Sequence, residues 1–123
     1  PTKSHALTLP GEPRSKQRPR FSRGHAYTPK ETVAAEKAIA AAWKDLQVET
    51  FRHSVLVEVD FFNGNRRRRD LDNMLKLVLD ALNTVAFEDD HQVVEVNARK
   101  LLTVKQNART EIRLTELVLW PSE

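Results

Sequence analysis

Cysteine is absent from the 123-residue chain, and glycine occurs only three times. Without thiols there is no disulfide, no thiolate zinc site and no cysteine nucleophile. With so few glycines there is no phosphate-cradling loop, and neither a nucleotide fingerprint nor a nucleophile elbow is present. No apolar run approaches the roughly 20 residues that span a bilayer. The opening PTKSHALTLP lacks the long apolar centre of a secretory leader. His5, His25, His53 and His91 show no metal-binding spacing with one another. These absences lead us to expect a cytoplasmic protein with no membrane partner and no small-molecule cofactor, and the missing cysteines fit reducing surroundings.

What is there is charge, carried on a globular composition of 40% hydrophobic and 30% charged residues. The length suits one domain, expected to span residues 1–123, with a single core. The net charge of +3 is modest, but its distribution is not. Between Arg14 and Lys30 stand Arg14, Lys16, Arg18, Arg20, Arg23 and Lys30 with no acid among them, and Phe21, His25 and Tyr27 are interleaved. Cations for phosphates and flat rings for exposed bases would suit a nucleic acid strand. A charge run alone reads equally well as a solvated loop; a second run, Arg66 to Arg69, tips the reading toward nucleic acid.

The apolar pattern predicts the order β-α-β-α-β-β, an α+β domain with two main helices on a mixed or antiparallel sheet. His5–Leu9 reads as a first strand, stopped by Pro10, Gly11 and Pro13. Thr28, Pro29 and Glu31 compose a helix start with a capping box. That helix is expected to run to about Gln47, with Val33, Ala34, Ile39, Ala42, Trp43 and Leu46 on its apolar side. From Ser54 the alternation of Val55, Val57, Val59 and Phe61 has the period of a half-buried strand, ended by Asn63, Gly64 and Asn65. A second helix, Leu71 to Val85, carries Leu71, Met74, Leu75, Val78, Leu79 and Leu82 at helical spacing. Two strands follow, Val93–Val104 and Thr110–Trp120, separated by QNART, which reads as a hairpin turn.

The informative stretch is RRRRDLDNMLKLVLDAL with EDDHQVV after it. It sets Asp70, Asp72, Asp89 and Asp90 near Arg66–Arg69. Two residues apart on a regular helix, Asp70 and Asp72 would point about 200° away from each other. They can converge only if Asp70 lies in the extended entry and Asp72 in the first turn, where the helix dipole favours negative charge. The plain alternative is that either one caps the helix. Lys76 follows Asp72 by four residues and so shares its face, within reach of a phosphate oxygen. Asp80, one turn further, is expected to pair with Lys76 or to cap toward solvent and is kept as a further candidate for the site, and His91 is left outside it. Carboxylates beside guanidiniums suggest a hard divalent cation held against a polyanion, Mg2+ or Mn2+ rather than Zn2+. The chemistry this points to is metal-assisted phosphodiester cleavage.

RRRRDLDNMLKLVLDAL followed by FEDDHQVVEV closely resembles the RusA family of Holliday junction resolvases, small endodeoxyribonucleases of bacteria and their phages. KQRPRF and HAYTPKET are similar to the entry segment of many phage-type members, and the likeness runs from about Leu7 to Leu114. The resemblance implies that Asp70, Asp72 and Asp90 are metal-binding catalytic aspartates and Lys76 a catalytic lysine. Asp89 matches the neighbouring acid and Asn73 the motif asparagine, read as a positioning residue. Arg67, Arg68 and Arg69 fall where the family carries basic residues near DNA. A homodimer that resolves four-way junctions by paired symmetric nicks, in recombination and repair, is implied too. Ala86 departs from the glycine of some relatives. Symmetry gives its own reason for a dimer, because a junction presents two equivalent strands and a twofold supplies two equivalent sites. Two rival readings stay open: a junction-binding protein without activity, and a nuclease for flaps or single strands.

Overall fold

The structure is a computed structural model and describes residues 3–117. Six strands and two helices appear in the order β1 (Ser4–Pro10), β2 (Arg20–Ser22), β3 (His25–Tyr27), α1 (Lys30–Lys44), β4 (Ser54–Asn63), α2 (Leu71–Leu82), β5 (Val93–Leu102) and β6 (Arg109–Leu117). Four strands form one mixed sheet in the order β1-β6-β4-β5. β6 is antiparallel to both β1 and β4, and β5 is parallel to β4. The α+β class and the two-helix layout hold. The expected extension of the last strand to Trp120 lies outside the described residues.

Alternation explains β4. Val55, Val57, Val59 and Phe61 are buried beneath the helices, while the residues between them stay half-exposed on the open face of the sheet. Ile112 and Leu114 of β6 continue the covered face, and Leu7 and Leu9 of β1 pack at its margin. From α2 the buried side is Met74, Leu77, Val78, Ala81 and Leu82; from α1 it is Ile39 and Trp43. Phe51 and Phe87, on the segments either side of these elements, close the core.

Four local expectations are corrected. α1 starts at Lys30 with Pro29 as its cap residue, and no side chain caps it, because proline has no side-chain acceptor to offer; the Pro29 carbonyl receives Thr32 and Val33 N–H at 3.1 and 3.2 Å. Its helical ladder ends at Lys44, and Gln47 turns the chain away at φ 54°. Val33 and Ala34 are exposed, since Thr32, Ala35, Ile39 and Trp43 are the residues that face inward. Part of the basic loop is ordered as the β2–β3 hairpin, whose turn residues Arg23 and Gly24 take φ 52° and 80°, the pair of positive values a two-residue hairpin needs.

The largest correction concerns QNART, which does not join neighbouring strands. The α2 crossover lays β5 parallel to β4, so β5 ends where β4 ends. The chain must pass over β4 to reach the slot between β4 and β1. Gly64 makes room for that passage: a Cβ there would stand 2.6 Å from Lys105 Cα. β5 is left at the sheet edge and mostly exposed, while β6, with Thr110, Ile112, Leu114 and Glu116 buried, takes the central place.

Candidate active site

Helix α2 carries the site. A cavity of about 290 Å³ runs along it, lined by Asp72, Leu75, Lys76, Leu79 and Asp80 from the helix and by Asp90 and Val93 from the entry to β5. Asp72, Lys76 and Asp80 recur every four residues and therefore form one stripe. The Lys76 side chain is exposed and has no hydrogen-bond partner among the described residues. The Asp72 carboxylate accepts the Asn73 N–H at 2.9 Å.

Asp70 is the N-cap residue of α2, with extended backbone at φ −83°, ψ 132°. Its side chain makes no capping hydrogen bond, so simple capping does not account for it. The arginine-rich entry that delivers it is tied down from several sides. Arg69 Nη1 donates to Asn63 Oδ1 at 3.1 Å and to Asn65 Oδ1 at 3.0 Å, and the Glu12 carboxylate lies 4.0 Å away. Glu12 also accepts the Gly64 N–H at 3.0 and 3.1 Å. Lys100 Nζ on β5 donates to the Arg69 carbonyl at 2.8 Å, next to Asp70. Arg69 is thus only 10% exposed and acts as a tether, whereas Arg66, Arg67 and Arg68 point to solvent.

The acidic pair is placed by Gln92, a residue the sequence reading passed over. Its Nε2 donates to the carbonyls of Phe51 and His53, both at 3.0 Å, and its Oε1 accepts the Asp89 N–H at 2.9 Å. The pair is thereby fastened to the chain entering β4. A hydrogen bond shared between their carboxyls holds Asp90 above the ordinary aspartate range and Asp89 below it. Asp89 is lowered further by His91, whose Nδ1 is 3.1 Å from its carboxylate. The negative charge of Asp80, which lines the same cavity, also raises Asp90.

The predicted ligands do not gather at one point of the chain among the described residues. Along a helix rising about 1.5 Å per residue, Asp80 lies about 15 Å beyond Asp70 and about 12 Å beyond Asp72. Asp72 and Asp90 both line the cavity, and Asp70 is not part of its lining. Among the described residues no three carboxylates or histidines come close enough to hold one ion. Within a single chain, Asp70, Asp72 and Asp90 do not fit a common cation.

Asp80 pairs with Lys16, not with Lys76 as expected. The Lys16 N–H also donates to the Asn73 carbonyl at 3.0 Å, and the Gln17 N–H to Thr32 Oγ1 at 3.2 Å. The basic segment is therefore stitched across both helices beside the cavity. Arg14, Arg18, Arg20 and Arg23 stay exposed, without a carboxylate partner among the described residues, and Phe21 is 77% exposed on the hairpin. No spacing rule signals the Lys16 pairing, because its partner is 64 residues away.

Comparison with known proteins shows the family of the chain. Residues 10–115 match the family described as Endodeoxyribonuclease RusA. The protein named crossover junction endodeoxyribonuclease RusA in Escherichia coli (strain K12) is 31% identical over 116 residues, which cover 93% of this chain and 96% of that one. Its namesake in Enterobacteria phage 82 is also 31% identical over the same extent, and that of Shigella sonnei 30%. The chain belongs to the RusA family of endodeoxyribonucleases.

Proposed function

We propose that the chain resolves four-way DNA junctions in recombination and repair, as a homodimer that nicks two opposed strands symmetrically with Mg2+ or Mn2+ as its cofactor. The observation that carries the reading is the α2 stripe. Exposed Lys76 stands between acidic residues in a cavity, and the chain exposes arginines without a carboxylate partner among the described residues, in a protein of endodeoxyribonuclease kinship.

Each residue type has a task. Asp70, Asp72 and Asp90 offer oxygen donors of the kind hard divalent ions take. Lys76 would place an ammonium against the phosphoryl oxygens as charge develops on them. Asn73 would position its neighbours, through the hold of Lys16 on its carbonyl. Asp89 supports Asp90 by their shared hydrogen bond. Arg14, Arg18, Arg20, Arg23, Arg66, Arg67 and Arg68 would follow the phosphates of the arms, which makes affinity fall steeply with salt. A cytoplasmic setting suits such work on DNA.

The test is a panel of labelled four-way junction, flap, duplex and single strand at one salt concentration with Mg2+. The reading predicts paired nicks at matching positions on opposed junction strands and little cutting of the others. Preference for an unbranched substrate would remove the resolvase assignment, and salt-sensitive binding without any product would leave only a junction-binding protein.

A further inference from the structure

We propose that Phe21, on the β2–β3 hairpin, is the residue that senses a branch in the DNA: its ring stacks on a nucleobase that has lost a stacking neighbour where the junction strands cross. This rests on the reading that the chain acts on four-way junctions, and it adds which side chain tells a junction from plain duplex. A lone exposed apolar residue is ordinary on a protein surface. Phe21 differs in its setting. It is 77% exposed, and its partner across the ribbon is Ala26, too small to cover a ring. Arg20, opposite Tyr27, and Ser22, opposite His25, alternate onto the other face. Every residue of both strands is exposed, so the hairpin shares no core with the rest of the fold. A two-stranded ribbon this short gains little stability from its own pairing, and an uncovered phenylalanine adds none.

The charge around the ring points to the ligand. No acid stands between Arg14 and Lys30, and Arg18, Arg20 and Arg23 are exposed beside Phe21 without a carboxylate partner among the described residues. Unpaired guanidiniums suit phosphates, and a ring set among them suits the bases those phosphates carry. In intact duplex each base is stacked on both sides, and wedging a ring between two of them costs the stacking it breaks. Where strands cross between arms, that stack is already interrupted. The ring gains its contact there without the cost, and binding favours branched DNA over duplex.

The hairpin is fixed relative to the cavity along α2. Ahead of it, Lys16 pairs its ammonium with Asp80, which lines that cavity, and donates its backbone N–H to the Asn73 carbonyl at 3.0 Å. Gln17 N–H donates to Thr32 Oγ1 of α1 at 3.2 Å. On the exit side, Thr28 alone separates Tyr27 from Pro29, the cap residue of α1. Pro19, directly before β2, and Pro29 stiffen both approaches. Phe21 follows Lys16 by five positions, which span at most about 17 Å, or roughly five nucleotide steps along a strand. A base stacked on Phe21 and a phosphate at the cavity can therefore belong to neighbouring stretches of one junction.

The experiment measures binding by fluorescence anisotropy in Ca2+, at one salt concentration, to a labelled synthetic four-way junction and to duplex with the sequence of one arm. The unsubstituted protein should bind the junction more tightly. Phe21→Ala, whose circular dichroism should stay native because the ring is uncovered, should raise the junction Kd by about 10-fold or more and leave the duplex Kd within about twofold. Phe21→Trp should restore junction affinity, whereas Phe21→Leu, apolar but without a π face, should not. An aminopurine base analogue placed at the crossing should change its fluorescence when the unsubstituted protein binds and not when Phe21→Ala does. Unchanged junction binding by Phe21→Ala, a loss shared equally with duplex, or full rescue by leucine overturns the stacking role of Phe21 while leaving the junction reading intact. If the unsubstituted protein binds duplex as tightly as the junction, the junction reading itself has failed and this inference with it.

Discussion

Replacing Gly64 by alanine is expected to destabilise the protein although nothing catalytic is touched. The backbone at Gly64 does not take a positive φ, so alanine can adopt it and the cost comes from contact alone. The added Cβ would stand 2.6 Å from Lys105 Cα, 3.0 Å from Lys105 N and 2.7 Å from Glu12 Oε1. Two of these are backbone atoms of the connection that crosses β4, and they cannot rotate away. Overpacking of this kind costs roughly 1–3 kcal/mol, and moving Glu12 weakens the charge-assisted bonds it accepts from Gly64 N–H. Because the two effects share one displacement, the combined loss should be about 2–4 kcal/mol. With an m-value of roughly 1.5 kcal/mol per molar urea, the midpoint should fall by about 2 M at constant m. Urea unfolding followed by far-UV circular dichroism measures it. A midpoint within about 0.3 M of the unsubstituted protein would refute the close crossing of the β5–β6 connection over β4.

Other outcomes follow from single contacts. Leu82, fully buried where α2 ends, should cost about 2–5 kcal/mol on truncation to alanine, and the same urea titration reads it. Glu116 is buried and accepts the Arg52 and His53 N–H groups at 3.0 and 3.2 Å; Glu116→Gln should cost about 1–2 kcal/mol and show in thermal melts. Arg99 donates twice to Asp60, at 2.9 Å each, and holds its carboxyl below the ordinary range. A lowered folded pKa means that the stabilisation is present above the unfolded aspartate value of about 3.9 and fades as pH falls through the folded one. Since the pair is largely solvated, Asp60→Asn should lose only about 0.5–1 kcal/mol at pH 7, with the difference shrinking as pH falls below the unfolded aspartate value, as paired melts across pH will tell.

Much of this protein was legible wherever a residue's task depends on near neighbours. The period-two run of β4 names its own face, because burial on one side dictates the pattern; the stripe of α2 was read in part, since Val78 and Leu82 are buried as expected but Leu71, Leu75 and Leu79 are only half-buried and buried Leu77 was passed over. The extended entry at Asp70 followed by Asp72 in the first turn was likewise readable from helix geometry. What escaped depends on topology. QNART looks like a hairpin turn by composition, yet the parallel placement of β5 makes β6 cross β4. Asp80 was assigned to Lys76 by spacing along the helix, whereas Lys16 claims it from another part of the chain. Arg69 belongs to a run that reads as solvent-facing, and only the folded Glu12, Asn63 and Asn65 show it to be a tether. The acidic motifs are of the same kind: their sequence proximity does not bring Asp70, Asp72 and Asp90 together as one ligand set among the described residues.

The most direct measurement is the rate of cutting a synthetic four-way junction, with Mg2+ at saturating junction, by the unsubstituted protein and by Asp72→Asn. The account predicts cutting by the unsubstituted protein that chelation of the metal abolishes. It predicts a fall of about 100-fold or more in the variant, with junction binding in Ca2+ retained. Equal rates for the two proteins would contradict it.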